Sequence, residues 1–209
     1  MTVSQIVKKQ FHIVAAQYGF KLSKGHFYYR SITPSFNDYL DIQCSPHRPK
    51  CDKVTIDFYL GIHIQKMREL CDALYEEQSN DIDMFPVIGD VLYHVNGVHC
   101  LYFSINDDIE VFQAKLASLF EKHFEPYFIN MHSWRNIQKR VLSKNIVRPS
   151  WWVAITYYFN GDKKKGLKVA MQHLNAIQEE YRQPRDYAFV ENFAKLPPYK
   201  GDFNIDMMK

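Results

Sequence analysis

An α+β fold is what the sequence predicts: an antiparallel sheet with helices on one face, followed by a C-terminal helical segment. Three observations lead there. Val54, Ile56, Phe58, Leu60 and Ile62 alternate strictly with Thr55, Asp57, Tyr59, Gly61 and His63, the two-residue period of a strand buried on one face only. Val3, Val7, Phe11, Val14 and Tyr18 recur at the spacing of a helix before it. From Trp134 onward the pattern turns helical, with Trp134, Ile137, Val141 and Leu142 on one stripe. The predicted organisation is an α+β domain over 1–125 and a helical segment over 126–209 packed on it as one compact unit. The chain has 209 residues, 46% of them apolar and 23% charged, which removes the disordered, collagenous and coiled-coil classes. A chain of this length buries roughly 70% of its unfolded surface, so neither a metal nor a disulfide is required for folding.

The first helix is announced by a Thr2 to Gln5 capping box and stopped by Gly19. Phe20–Leu22 and His26–Ser31 flank Ser-Lys-Gly and read as a hairpin. Tyr39–Cys44 alternates, and after a loop with Pro46 and Pro49 comes the 54–62 strand. Ile64, Met67, Leu70, Cys71 and Leu74 return to helical spacing, a short helix expected to pack on the sheet. Val91–Val95 and Val98–Phe103 bracket Asn96-Gly97, the signature of a type I′ hairpin that sets His94 opposite His99. Asp107 with Glu110 opens a helix carrying Ile109, Phe112, Leu116, Leu119 and Phe120, which Pro126 is expected to end. Pro149-Ser150 breaks the chain again. The run 151–159, WWVAITYYF, has the β-branched and aromatic content of a strand. Its context favours a helix: Asn160-Gly161-Asp162, then Leu167, Ala170, Met171, Leu174 and Ile177, reads as the turn and second arm of a helical hairpin. Gly166 and Ala170, one turn apart, suit a close helix contact. A last helix lies around Tyr187–Ala194, and Pro197-Pro198 begins a tail.

Cysteines 44, 51, 71 and 100 form no CxxC pair and sit singly, as reduced thiols do. Lys8 and Lys9 interrupt any apolar run near the start, and no segment approaches the ~18 apolar residues of a spanning helix. The expectation is a cytoplasmic protein with no membrane partner.

Candidate chemical sites are few. Cys44, His47 and Cys51 give C-x2-H-x3-C, the best metal-like spacing in the chain, but zinc needs four ligands and no fourth lies within knuckle spacing. Two strand-end thiols beside a surface histidine is the favoured reading, and no metal or cofactor is expected. The His94 and His99 pair likewise lacks an acid in either strand, so cross-strand packing is preferred. No G-x-S-x-G elbow occurs, and Cys51, beside Lys50 and Lys53, is the one thiol with basic neighbours in sequence. No glycine spacing suits a phosphate loop. Lys24-Gly25-His26-Phe27-Tyr28 has a trace of an RNA-binding aromatic strand without its companion motif.

Charge layout says more. Net charge is +3, yet residues 69–114 hold ten acids and no Lys or Arg, whereas residues 126–161 hold Arg135, Lys139, Arg140, Lys144 and Arg148 and no acid. Lys163 to Lys165 and Lys168 extend the block, and Trp134, Trp151 and Trp152 lie inside it. Cations steer an anionic partner and tryptophan supplies buried contact, so Trp134, Arg135, Lys139, Arg140, Lys144 and Arg148 are the candidate partner-binding residues, for an acidic or mixed-charge protein. The competing reading pairs these cations with the 69–83 acids of the same chain and puts the tryptophans in the core.

Gly19-Phe20, Phe27 with Arg30, Gln43 and Ser45 closing Asp41-Ile42-Gln43-Cys44-Ser45, and Gly61 in VTIDFYLGI resemble the bacterial family catalogued as domain of unknown function 4304, over about the first 100 residues, one domain-sized unit. The Gly161-Asp162 turn and the helix after it are similar to that family's C-terminal portion. The resemblance implies an α+β fold in bacteria or their phages and brings no catalytic residues. Its setting near bacterial conflict systems implies an immunity or inhibitor protein. The first expectation is therefore a non-enzymatic protein-binding module. The alternatives are a hydrolase or nuclease-like enzyme using His94, His99 and the acids of 81–108, and a nucleic-acid-binding protein, which a continuous exposed basic strip would favour.

Overall fold

The computed structural model describes residues 2–23, 27–46, 52–76, 88–91, 100–143, 150–201 and 203. The elements in chain order are α1 (Val3–Gln17), β1 (Lys21–Leu22), β2 (Phe27–Thr33), β3 (Phe36–Pro46), β4 (Lys53–Ile64), α2 (Gln65–Tyr75), β5 (Ile88–Val91) and β6 (Leu101–Ser104). Then follow α3 (Ile109–Leu119), a π turn (Phe120–Phe124), α4 (Glu125–Met131), α5 (Trp134–Val141), α6 (Trp151–Phe159), α7 (Lys163–Ala176), a 3-10 turn (Glu179–Tyr181) and α8 (Pro184–Lys195). The fold is α+β. The chain divides into two compact units, Met1–His63 with Met84–Asn130, and Ile64–Asp83 with Met131–Lys209.

The first unit is an open antiparallel sheet in the order β1-β2-β3-β4-β5, with β6 also paired to β4. Thr2 caps α1 with the expected reciprocal box, Thr2 to Gln5 and back. The alternation of β4 holds up to Leu60, with Val54, Ile56, Phe58 and Leu60 buried and Asp57 exposed; beyond it Gly61, Ile62, His63 and Ile64 are all buried, so the strand's last third is covered on both faces, not on one as the pattern predicted. Over that buried face Phe11 of α1 sits at the centre of an aromatic core, its ring 5.0 Å from Tyr28, 5.7 Å from Phe58 and 5.8 Å from Phe120. Rings meet here tilted or edge-on, the arrangement their quadrupoles favour.

Three expectations are changed or sharpened here. The cap of α3 is Asp108, whose carboxylate accepts from Glu110 N and Val111 N, while Asp107 accepts from Ser104 N. Pro126 does not end the helical path. It falls just inside α4, and the π turn before it makes the junction, with Glu125 N–H donating to Phe120 O. The Asn96-Gly97 turn and the His94 and His99 pair lie outside the described residues, but the ends of the two runs are seen. Val91 pairs with Tyr59, and Leu101–Ser104 pairs with Ile56–Lys53. Both pairings are antiparallel to β4, β5 along its second half and β6 along its first.

The second unit is helical, and α2 belongs to it. Met67, Cys71 and Leu74 form the buried stripe of α2, which packs on α6 and α8; the sheet it was expected to cover belongs to the other unit. Tyr75 meets Phe189 at 5.2 Å and Trp151 at 6.1 Å, and Asn192 donates to Leu74 O. Residues 151–159 are helix, as context predicted against propensity, with Ser150 capping Val153 N. Asn160 and Gly161 (φ +78°) turn the chain, and Asp162 caps α7 through Lys165 N. Gly166 is where the hairpin closes: a Cβ there would stand 2.7 Å from Ala154 O and 2.7 Å from Phe193 Cζ.

Candidate functional site

The surface that the charge pattern singled out is built on α5. Two turns of helix place Ile137 and Val141 inward. Trp134 and Gln138, four residues apart and so on one face, are half-buried, while Arg135 and Lys139 form the adjacent exposed strip. Arg140 is half-buried. Lys144 and Arg148 lie outside the described residues. Lys139 and Arg140 occupy the last turn, where cations complement the helix dipole. Neither Arg135 nor Lys139 has an ion-pair partner among the described residues. The acids expected to answer them are engaged elsewhere within the described stretch: Asp72 pairs with Arg68 at 3.1 Å, Glu69 accepts from Gln65, and Glu76 accepts from Asn192. Acids 77–83 lie outside it. Further along the basic block, Asp162 and Lys165 pair at 2.8 Å, and Lys163 donates to Ala194 O and Leu196 O. Trp151 is half-buried and packed on its own unit, its ring 4.3 Å from Phe189 and 4.4 Å from His173.

Trp134 and Gln138 form one wall of a cleft of about 480 Å³, within the range of ligand-sized sites. The end of α6 and the turn after it, Phe159 to Gly161, form the second wall, and Tyr199–Gly201 with Phe203 form the third. Gln138 donates to Asn160 Oδ1, joining the first two walls. The stretch after Pro197-Pro198 therefore turns back against the helices instead of trailing away. Phe203 stands 4.5 Å from Trp134 and 4.1 Å from Phe159, and Tyr199 stands 5.1 Å from Phe159. Lys200 lines the cleft and is exposed. The result is a hollow with aromatic walls whose lining also carries two amides and one cation, Lys200. Sequence reasoning found Trp134 and the cations and missed Phe159, Tyr199, Lys200 and Phe203. The overlooked signal was an aromatic pair four residues apart beyond the double proline.

A second polar constellation lies in the first unit. Arg30, opposite Asp38 in the β2–β3 ladder, donates from Nε and Nη2 to Asp38 Oδ2 at 3.0 and 2.7 Å. Its Nη1 donates to Tyr18 O at 3.1 Å and to Glu125 Oε1 at 2.5 Å. The guanidinium lies 4.7 Å from the Phe20 ring centre. Burial acts to lower the Arg30 pKa, and the bonds to Glu125 and Asp38 outweigh it, so the net direction is up. Four of the five N–H donors of Arg30 are thus used within the fold, which makes it a structural tie. Beside it the Tyr18 hydroxyl is raised, by burial first and by Glu121 next.

Neither Cys44 nor Cys71 offers a nucleophile. Burial pushes Cys44 up to about 11 and Cys71 up to about 12, so both are protonated at neutral pH. Among the described residues no group of three His, Cys, Asp or Glu side chains could hold a metal ion; His47 and Cys51 lie outside them. No described helix is long and apolar enough to cross a membrane. No protein-family model matches the chain, and no curated protein or solved structure matches it significantly.

Proposed function

We propose that the chain is a non-enzymatic protein-binding module of the inhibitor or immunity type, which meets an acidic or mixed-charge partner through α5 and the cleft beside it. One observation carries the reading: Arg135 and Lys139 stand exposed, with no carboxylate partner among the described residues, alongside a hollow walled by Trp134, Phe159 and Tyr199. Exposed cations set the rate and salt dependence of encounter, and aromatic residues in a concave seat supply contact energy. Membership in the domain of unknown function 4304 family is part of the proposal. It is supported by the convergence of Gly19, Phe20 and Arg30, whose Cδ lies 3.5 Å from where a Gly19 Cβ would be.

The test is the double variant Arg135→Glu/Lys139→Glu, with the partner captured at low salt from the source cells and repurified. Association should slow about tenfold or more and lose its salt dependence, with the melting midpoint nearly unchanged because exposed charges contribute little to stability. Lost stability with unaltered association would overturn the proposal. Tight binding of the native chain to DNA or RNA with a steep salt slope would move it to a nucleic-acid reading.

A further inference from the structure

The cleft of the second unit is lined by hydrogen-bonding groups that the described chain leaves unanswered. Phe159 and Phe203 are buried, whereas Trp134 and Tyr199 are half-buried and present the remaining ring surface. The open surface as a whole is more polar than apolar. The bond from Gln138 to Asn160 Oδ1 uses one N–H and one oxygen. Gln138 Oε1, the second Gln138 N–H and both N–H groups of Asn160 are left with no partner among the described residues. The same holds for the indole N–H of Trp134, the Tyr199 hydroxyl and the Lys200 ammonium. Tyr199 is folded over Gly201, where a Cβ would stand 2.9 Å from the hydroxyl, so that hydroxyl belongs to the lining. Donors thus outnumber acceptors among these side chains, and no carboxylate is found among the described lining residues.

We propose that this cleft binds a nucleoside monophosphate. The ring surfaces of Trp134 and Tyr199 suit the flat face of a base. The bonded Gln138 and Asn160 amides offer donors and an acceptor side by side, as the edge of a base requires. A surplus of donors calls for a ligand richer in acceptors, which a phosphate ester is. One ammonium, Lys200, answers one phosphate, and a triphosphate would demand more cations than the lining holds. A neutral sugar would need carboxylates to accept from its hydroxyls. The volume of about 480 Å³ is in the range of sites that enclose one small ligand. The inference goes beyond the protein-binding reading and does not rest on it.

The test is calorimetric titration of the full chain with AMP, GMP, CMP and UMP, and with their nucleosides, ribose 5-phosphate, inorganic phosphate and phenylacetate. At least one nucleotide should bind one to one, about tenfold more tightly than its own nucleoside, and more tightly than the three smaller anions. Lys200→Ala should abolish that preference for the phosphorylated form and leave the affinity for the nucleoside as it was. Lys200 is exposed, so this variant keeps the melting midpoint of the native chain. Gln138→Ala should weaken nucleotide and nucleoside alike. Lys168→Ala, an exposed α7 position outside the lining, should change neither, which separates a built site from the general attraction of nucleotides to a basic surface. No binding of any of the four nucleotides by the folded chain overturns the proposal. So does inorganic phosphate or phenylacetate binding as tightly as the best nucleotide, an undiminished phosphate preference in Lys200→Ala, or an equal loss in Lys168→Ala and Lys200→Ala.

Discussion

Asp38 is fully buried, and its carboxylate is tolerable there because Arg30 reaches it with two donors. A buried charge that loses its partner keeps the cost of desolvation and forfeits the attraction, which is why breaking such a pair is far more damaging than replacing both members. Arg30→Met should therefore cost about 3 kcal/mol or more in urea denaturation, and Arg30→Met/Asp38→Leu should recover part of that loss. A single-variant cost below about 1 kcal/mol would show that water relieves Asp38. None of this was legible in the sequence. Arg30 is eight residues from Asp38 and 95 from Glu125, and separations of that kind leave no periodic trace. Phe203 escaped notice for the same reason, since a proline pair and a glycine nearby outweighed an aromatic residue whose partners are on distant helices.

Helices and strands were more legible, because amphipathic spacing is written into adjacent residues. The capping box of α1, the alternation of β4 as far as Leu60 and the helix at 151–159 all followed from local pattern or immediate context. What local pattern lacks is the identity of the facing element: the stripe Met67, Cys71 and Leu74 shows that α2 has a buried side but is silent on whether helix or sheet covers it. Gly166 gives the sharpest check at this scale. Alanine is normally favoured over glycine within a helix by about 1 kcal/mol. At Gly166 the added methyl would meet Ala154 O and the Phe193 ring at 2.7 Å each, and the backbone oxygen cannot swing aside. Gly166→Ala should thus destabilise by about 1–3 kcal/mol against its propensity, read from the urea midpoint. A stabilised variant would mean that α6 and α7 are not so closely packed.

At the scale of the whole molecule, neither unit is a continuous length of chain. The second takes α2 from early in the sequence and completes it with residues 131–209. Until those are present, Met67, Cys71 and Leu74 lack the α6 and α8 surfaces that bury them. A chain ended after residue 130 should accordingly bind a hydrophobic dye such as ANS strongly, and changing Met67 and Leu74 to serine in it should remove most of that signal. Weak dye binding by the shortened chain would show that α2 finds other cover. The sequence could not announce this arrangement, because charge and periodicity change near residue 126 while the earlier contribution of α2 carries no mark of its destination. The same interleaving governs how the gene can recombine. Any single crossover between two divergent versions leaves at least one unit assembled from both parents; keeping each unit purebred takes three crossovers, at the junctions after residues 63, 83 and 130. The two units are therefore expected to be inherited and to diverge together, as a pair that ordinary exon- or gene-end shuffling does not separate.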